Sequence, residues 1–380
     1  MRIIVAPDSF KGSLSALQAA NAIERGIQTA ASKFGKKTTV IKIPMADGGE
    51  GTVSAIITAV GGKVTPTTVL DPLGRLIESF FGVLPDNTGV IEMAAASGLN
   101  LIEPGSRDPL VTTTFGTGQL IKAVLDAGCN NIIIGIGGSA TNDGGVGMAQ
   151  ALGIKFLDKK NKPVGFGGGE LGKIHKMDLS GLDPRVNTAS FTVASDVKNL
   201  LCGPEGASAV YGPQKGATSK MVTVLDRNLL HLAGIIKLEL GIDIAQIPGS
   251  GAAGGLGGGL MAFLGAKLQP GIKIVMELTQ FETQVREADC LVTGEGATDF
   301  QTIFGKVPYG VAQVAVAYQK PVICISGTLG KGYEKLAENG ITAFFSIINQ
   351  PMTLAEAMQR GEELLEKTAE NVFCIYLLGG

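Results

Sequence analysis

Histidine is nearly missing from this chain: there are only His175 and His231. So few imidazoles argue against a structural zinc site, which is assembled from closely spaced Cys and His. The five cysteines (Cys129, Cys202, Cys290, Cys324, Cys374) form no C-x-x-C pair and mostly lie within or beside apolar runs. They read as buried free thiols in a reducing compartment. No apolar run reaches the roughly 18 residues that a membrane-crossing helix needs. The opening Met1-Arg2-Ile3-Ile4-Val5-Ala6-Pro7 reads as an immediate strand, without the long apolar region and cleavage site of a secretory signal. A cytoplasmic protein with no membrane partner is expected. Charge is sparse as well, at 17% charged residues and a net charge of −2. No basic stripe or aromatic-interleaved basic patch is present, which argues against a nucleic-acid partner.

Glycine is what the chain has in excess, at 55 of 380 residues, roughly twice the usual share. It clusters at strand ends instead of following a period, so collagen-like and linker readings fail. With 45% hydrophobic residues the composition is that of an ordinary globular enzyme. A chain of 380 residues exceeds one compact core, and two domains are the natural expectation.

The ends of the chain read as alternating strands and helices. Strands are expected at 3–6 and 40–43. A helix should open at the capping box Ser15-Ala16-Leu17-Gln18, and another should span 52–60 before Gly61-Gly62. The C-terminal hundred residues resume the rhythm: strands at 290–292, 322–325 and 342–345, helices at 306–317, 333–339 and 353–370. Alternation of this kind implies a parallel sheet covered on both faces. Between them, 63–100 suggest extended segments with turns at Asp71-Pro72-Leu73-Gly74 and Pro85-Asp86-Asn87. Helices follow near 119–127 and 221–240, with strands at 132–134 and 191–194. The expected architecture is α/β: a flavodoxin-like, doubly wound parallel-sheet domain from both chain ends (1–64 and 283–380), with a second α/β domain (65–282) inserted. The default ligand site is the cleft between two such domains, beyond the carboxyl ends of strands.

Several loops at those ends combine glycine with acids, hydroxyls and lysine. Main-chain N–H groups in such loops cradle anions, and neighbouring carboxylates suit Mg²⁺ carried by phosphates. In Pro7-Asp8-Ser9-Phe10-Lys11-Gly12-Ser13, Asp8, Ser9 and Lys11 precede a helix start that can hold a carboxylate or phosphate. The loop Asp47-Gly48-Gly49-Glu50-Gly51 offers Asp47 and Glu50 to a metal or to substrate hydroxyls, or places Glu50 in a helix's first turn. Gly135-Ile136-Gly137-Gly138-Ser139-Ala140 fits a dinucleotide fingerprint, with Asp158 about 20 residues on. The polar, glycine-rich Thr141-Asn142-Asp143-Gly144-Gly145 that follows suits a phosphate cradle better, with Ser139, Asn142 and Asp143 as ligands. Asp196 follows a strand and is either a general base or a helix cap. Lys215 is a further candidate phosphate contact. The run around Gly254 and Gly255 is either a nucleotide loop or a close helix crossing. Gly294-Glu295-Gly296-x-x-Asp299, followed by Gly305-Lys306, is another candidate phosphate and metal loop. No G-x-x-x-x-G-K-[ST] occurs, and the protein-kinase motif set is absent.

Taken in order, Ala6-Pro7-Asp8-Ser9-Phe10-Lys11-Gly12, Ala46-Asp47-Gly48-Gly49-Glu50-Gly51-Thr52, Asp71-Pro72-Leu73-Gly74-Arg75, Glu92-Met93-Ala94-Ala95-Ala96-Ser97-Gly98, Thr114-x-Gly116-Thr117-Gly118, Gly137–Gly145 and Ser195-Asp196-Val197 resemble the bacterial glycerate kinase type-1 family. The resemblance spans nearly the whole chain. It implies ATP-dependent, Mg²⁺-assisted phosphorylation of D-glycerate, usually to 2-phosphoglycerate, although 3-phosphoglycerate has also been assigned. Under that reading Lys11, with Lys306 or Lys215, neutralises phosphate and carboxylate charge. Asp47, Glu295 and Asp299 are the candidate metal ligands, and Asp196 takes the hydroxyl proton. One departure stands out: the family's Gly-Glu-Gly loop usually continues Arg-x-Asp-x-Gln-Thr with a His before Gly-Lys, and here those two positions are Ala297 and Phe304. The alternatives are an NAD(P)-dependent hydroxy-acid dehydrogenase, resting on 135–140 and Asp158, and a non-catalytic organic-acid sensor, motivated by Ala297 and Phe304. A homodimer is left open.

Overall fold

The computed structural model describes residues 1–46 and 48–378. The chain divides into two compact units. The first comprises Met1–Asp47, Ser54–Gly61 and Ile272–Gly380; the second comprises Gly48–Val53 and Gly62–Gly271.

The first unit is built on a five-stranded parallel sheet in the order Ala343–Ser346, Val322–Ser326, Cys290–Thr293, Arg2–Val5, Thr39–Lys42. Its middle strands, Cys290–Thr293 and Val322–Ser326, are buried along their whole length. This is why they read as continuous apolar runs without alternation. Ile23 and Ile27 of helix Ala16–Lys33 and Leu364, Leu365 and Phe373 of helix Gly361–Leu378 share one core with Ile3, Val5, Val292 and Ile325. The Ser15 capping box forms as expected: Ser15 Oγ accepts the Gln18 N–H at 3.2 Å, and Gln18 Oε1 accepts the Ser15 N–H at 2.9 Å.

The closing helix expected over 353–370 differs in two respects. It is split into Leu354–Gln359 and Gly361–Leu378. The Met358 carbonyl accepts the Ser13 hydroxyl at 2.6 Å, which diverts it from the helical ladder just before Gly361. The second helix also runs on past residue 370, because Val372, Phe373 and Leu377 are buried in the core. The short helix expected at 333–339 is present with those bounds, as a 3₁₀ helix.

The second unit holds a six-stranded mixed sheet in the order Lys267–Gln269, Ser190–Ala194, Asn131–Gly135, Thr88–Glu92, Leu76–Val83, Lys63–Leu70. The first four strands are parallel and the last two antiparallel. Both expected turns are present, with Gly74 at φ 81° and Asn87 at φ 65°. Asp71 Oδ1 accepts the N–H groups of Leu73 and Arg75 at 2.8 and 2.9 Å and closes the first. Helix Ser219–Leu240 ends at Gly241 in the left-handed region, at φ 72°. A small antiparallel pair, Lys155–Leu157 with Lys176–Asp178, completes the unit. The loops after Thr88–Glu92, Asn131–Gly135 and Ser190–Ala194 therefore emerge at one end of the sheet.

Gly26 lies where helix Ala16–Lys33 meets helix Gly361–Leu378, and a methyl group there would collide with the main chain of Glu366 and Glu370. Gly26→Ala is expected to destabilise the protein by about 1–3 kcal/mol through overpacking, despite alanine's better helix propensity. Urea denaturation checks this; an unchanged or raised midpoint would refute the close packing.

Candidate active site

In the first unit, the chain after strand Arg2–Val5 continues beside the next strand's loop: the Asp8 N–H donates to Gly294 O at 2.8 Å. Asp8 is buried, and its carboxylate accepts the Ser9 N–H at 2.7 Å. Ser9 is half-buried and Lys11 exposed. Gly294 has no room for a side chain, because the carbonyl of Ile325 lies against it. Glu295 is buried and fully engaged. Its Oε1 accepts the hydroxyls of Thr302 and Thr298 at 2.7 and 3.3 Å, and its Oε2 lies 3.2 Å from Lys306 Nζ. Lys306 is the N-cap residue of helix Val307–Ala317 but makes no side-chain cap bond. Glu295 thus holds a partly exposed ammonium at the helix end whose N–H groups favour an anion.

Asp299 was expected among metal ligands. It caps the turn Phe300–Phe304 instead: its Oδ1 accepts the Gln301 N–H at 2.8 Å, and Thr302 Oγ1 accepts the Asp299 N–H at 3.2 Å. Ala297 pairs with Thr328 in a short parallel bridge, and Phe304 is 73% exposed. The five cysteines are free, as expected. Burial pushes the Cys324 thiol, next to Ser326, up to about 11, so it stays protonated and inert.

The second unit carries the other cluster. The Gly137 N–H donates to Gly48 O at 3.0 Å, and the main chain of Gly48 and Gly49 fills the space where side chains at 135 and 137 would stand. Gly138 sits at φ 75°. Ser139 Oγ accepts the Thr141 N–H at 3.1 Å. Gly254 and Gly255, at φ 69° and 88°, bring their main chain onto residues 141–144, where the Gly144 N–H donates to Gly254 O at 3.1 Å. The glycine run is thus a close crossing of two loops.

Asn142 is buried; its Nδ2 donates to Ser208 Oγ at 3.0 Å, and its Oδ1 has no partner among the described residues. Asp143 does not present a free carboxylate for a phosphate or metal. Oδ2 accepts the Thr114 N–H and hydroxyl, both at 2.8 Å, and the Gly147 N–H at 3.2 Å; Oδ1 accepts the Gly145 N–H at 3.2 Å. Burial raises its pKa, and those four bonds oppose the rise. Lys215 is buried, with Nζ donating to Thr141 O at 2.6 Å and to Ser139 Oγ at 3.4 Å. Asp196 lies in an exposed irregular loop after Ser190–Ala194, and residues 195–200 contain no helix for it to cap. Asp47 falls outside the described residues.

Two residues in this unit carry work that inspection of the sequence did not assign. Glu92, at the end of a buried strand, accepts the Val53 N–H at 2.6 Å and also bonds Gly51, while burial raises its pKa. Thr114 locks Asp143 in place. The signal for Glu92 was available: a lone acid directly after Val90 and Ile91 must find partners when buried. The dinucleotide reading finds no support in the geometry. The helix after Asn131–Gly135 begins only at Val146, and Asp158 closes its own surface turn by accepting the N–H groups of Lys160 and Lys162.

Among the described residues, no group of three or more His, Cys, Asp or Glu side chains could hold a metal ion. Glu295, tied to Lys306 and two hydroxyls, and Asp299, tied to its turn, do not fit as magnesium ligands in this arrangement.

Comparison with known proteins defines the class. A crystal structure from Salmonella typhimurium LT2, provisionally named glycerate kinase 2, shares the fold with a TM-score of 0.88 and 47% identity, covering 100% of this chain and 99% of that one. The chain is a kinase of mixed α/β architecture. More particularly, it belongs to the glycerate kinase family, whose profile matches residues 3–377. It is 52% identical over 371 residues to the glycerate kinase of Halalkalibacterium halodurans, covering 97% of each chain. It is 47% identical over 380 residues to the glycerate 2-kinase of Escherichia coli K12, covering 100% of this chain and 99% of that one.

If Asp143 holds its loop instead of a ligand, Asp143→Ala orphans three buried N–H groups and should cost roughly 3 kcal/mol or more. Equilibrium unfolding in urea measures it. Stability within about 0.5 kcal/mol of the parent, the ordinary surface value, would return Asp143 to the list of ligands.

Proposed function

We propose that this chain transfers the terminal phosphoryl group of ATP to a hydroxyl of D-glycerate. 2-Phosphoglycerate is the favoured product and 3-phosphoglycerate the alternative. The observation that carries the reading is the near full-length likeness to proteins named glycerate kinase and glycerate 2-kinase. The strand order of the first unit supports reading it as a flavodoxin-like, doubly wound domain, whose ligands sit beyond strand carboxyl ends. A cytoplasmic location belongs to the same reading.

Phosphoryl transfer asks little covalent chemistry of a protein and much positioning and charge neutralisation. The main chain of Gly48, Gly49, Gly137, Gly138 and Ser139 has the composition of a phosphate cradle. Lys11 is exposed, and Lys306 is oriented by Glu295 beside a helix N-terminus; these suit them to phosphate or the glycerate carboxylate. Asn142, with an unpartnered amide oxygen, is suited to a substrate hydroxyl. Asp196 is assigned the proton of the attacking hydroxyl, on the strength of its exposed position in the loop after strand Ser190–Ala194. Mg²⁺ is expected to accompany the nucleotide's phosphates; no step here depends on protein ligands to it.

Release of ADP from ATP-Mg²⁺ with D-glycerate, followed by ³¹P NMR of the product, tests activity and regiochemistry together. Turnover is expected; silence on D-glycerate with activity on another hydroxy acid would transfer the substrate assignment. Asp196→Asn should lower kcat by about 10²-fold or more with the melting temperature unchanged. Turnover close to that of the parent would remove Asp196 as the base.

A further inference from the structure

Lysine is almost never fully buried unless it is paired. Lys215 is 2% exposed, and among the described residues no carboxylate forms an ion pair with it. Asp143 influences it electrostatically, but that carboxylate's four hydrogen bonds go to Thr114, Gly145 and Gly147. The ammonium faces the glycine loop instead, with Thr141 O at 2.6 Å and Ser139 Oγ at 3.4 Å. Its own main chain is rigidly placed. Lys215 closes the turn Pro213–Lys215, and Gly216, at φ 91°, presses against the Arg107 carbonyl with no room for a side chain. Ser139 Oγ in turn contacts Thr141 Oγ1 at 3.0 Å and Ala253 O at 3.3 Å, so one ammonium braces residues 139–141 and the loop crossing them. The same loop holds the buried, unpartnered Asn142 Oδ1.

We propose that Lys215 is a positioning residue of the kinase reaction: from beneath, its ammonium fixes the main chain of residues 139–141 in an anion-accepting shape and places a positive charge behind the ATP phosphates. This rests on the reading of 137–141 as a phosphate cradle. Lys215 itself acts through the loop, not by touching the phosphate. Burial pushes its pKa down to about 7, so an ammonium in this place is held at a cost that an anion on the loop offsets. A lysine kept only for stability would be a poor choice here, since apolar replacements of buried charges are often neutral or stabilising.

The test begins with turnover of ATP and D-glycerate by the parent chain; absence of turnover removes the reading on which the inference rests. Given turnover, Lys215→Met is compared with it. The expected result is a KM for ATP raised about tenfold or more, a KM for D-glycerate within twofold, and a melting temperature lowered only modestly by the loss of the donor to Thr141 O. Lys215→Arg, which keeps charge and donors, should recover part of the ATP KM. An ATP KM within twofold of the parent would overturn the proposal while leaving the kinase reading intact. So would a rise in both KM values that tracks a fall in melting temperature. Should Lys215→Met not fold, Lys215→Gln keeps a donor for Thr141 O without the charge. A raised ATP KM in that variant supports the charge's role, and an unchanged one refutes it.

Discussion

Contact of main chain against main chain, possible only where side chains are missing, is the constraint on which the second unit depends. Gly48 and Gly49 lie on Gly135 and Gly137; Gly254 and Gly255 lie on residues 141–144. Each approach brings peptide groups into a region closed to water, and every such group needs a partner. Some find one another, as in Gly137 N–H to Gly48 O and Gly144 N–H to Gly254 O. Others are met by buried ionisable side chains: Asp143 takes the N–H groups of Thr114, Gly145 and Gly147, Glu92 those of Gly51 and Val53, and Lys215 donates to the Thr141 carbonyl. The glycine excess and the buried charges are therefore two aspects of one design, in which loops at strand ends are made rigid without side-chain packing.

The first unit handles charge differently. Glu295 and Lys306 form a direct pair, with Lys306 still partly exposed and the carboxylate further satisfied by Thr298 and Thr302. A pair of this kind can release its cation to an incoming anion, because the carboxylate keeps two hydroxyl donors. Among the described residues Lys215 has no such ion-pair partner, and it is buried. The two lysines thus differ in their surroundings: Lys306 is paired and partly exposed, and Lys215 is buried against the loop it donates to.

Much of the fold could be read from the residues. Uninterrupted apolar runs such as 290–292 and 322–325 announced parallel strands, and the Ser15 capping box and Gly241 marked helix ends through local chemistry. Local chemistry alone does not break the closing helix. Its break at Arg360 depends on Ser13, 345 residues earlier, donating to Met358 O, and no local pattern contains that partner. The candidate site was legible at the level of loops, since glycine beside acids is a local signal. It was not legible at the level of roles. Whether a carboxylate faces a ligand or its own main chain is decided by partners from distant segments, as Thr114 shows for Asp143.

The same distinction separates Asp143 from Asp196, two acids at the ends of neighbouring strands. Asp143 is followed by Gly144 and Gly145, both with positive φ, so the chain turns back and wraps its N–H groups around the carboxylate. Asp196 is followed by Val197 and Lys198 in an irregular segment, and Asp196 itself is exposed. Glycine is one route to such self-capture and not the only one: Asp158 and Asp299, followed by Lys159 and Phe300, also accept N–H groups two residues on. Glu295, followed by Gly296, is met by side chains instead: Thr298, Thr302 and Lys306. The role of an acid is therefore read from the donors that reach it, which come from its own turn for Asp299 and in part from a distant segment, Thr114, for Asp143.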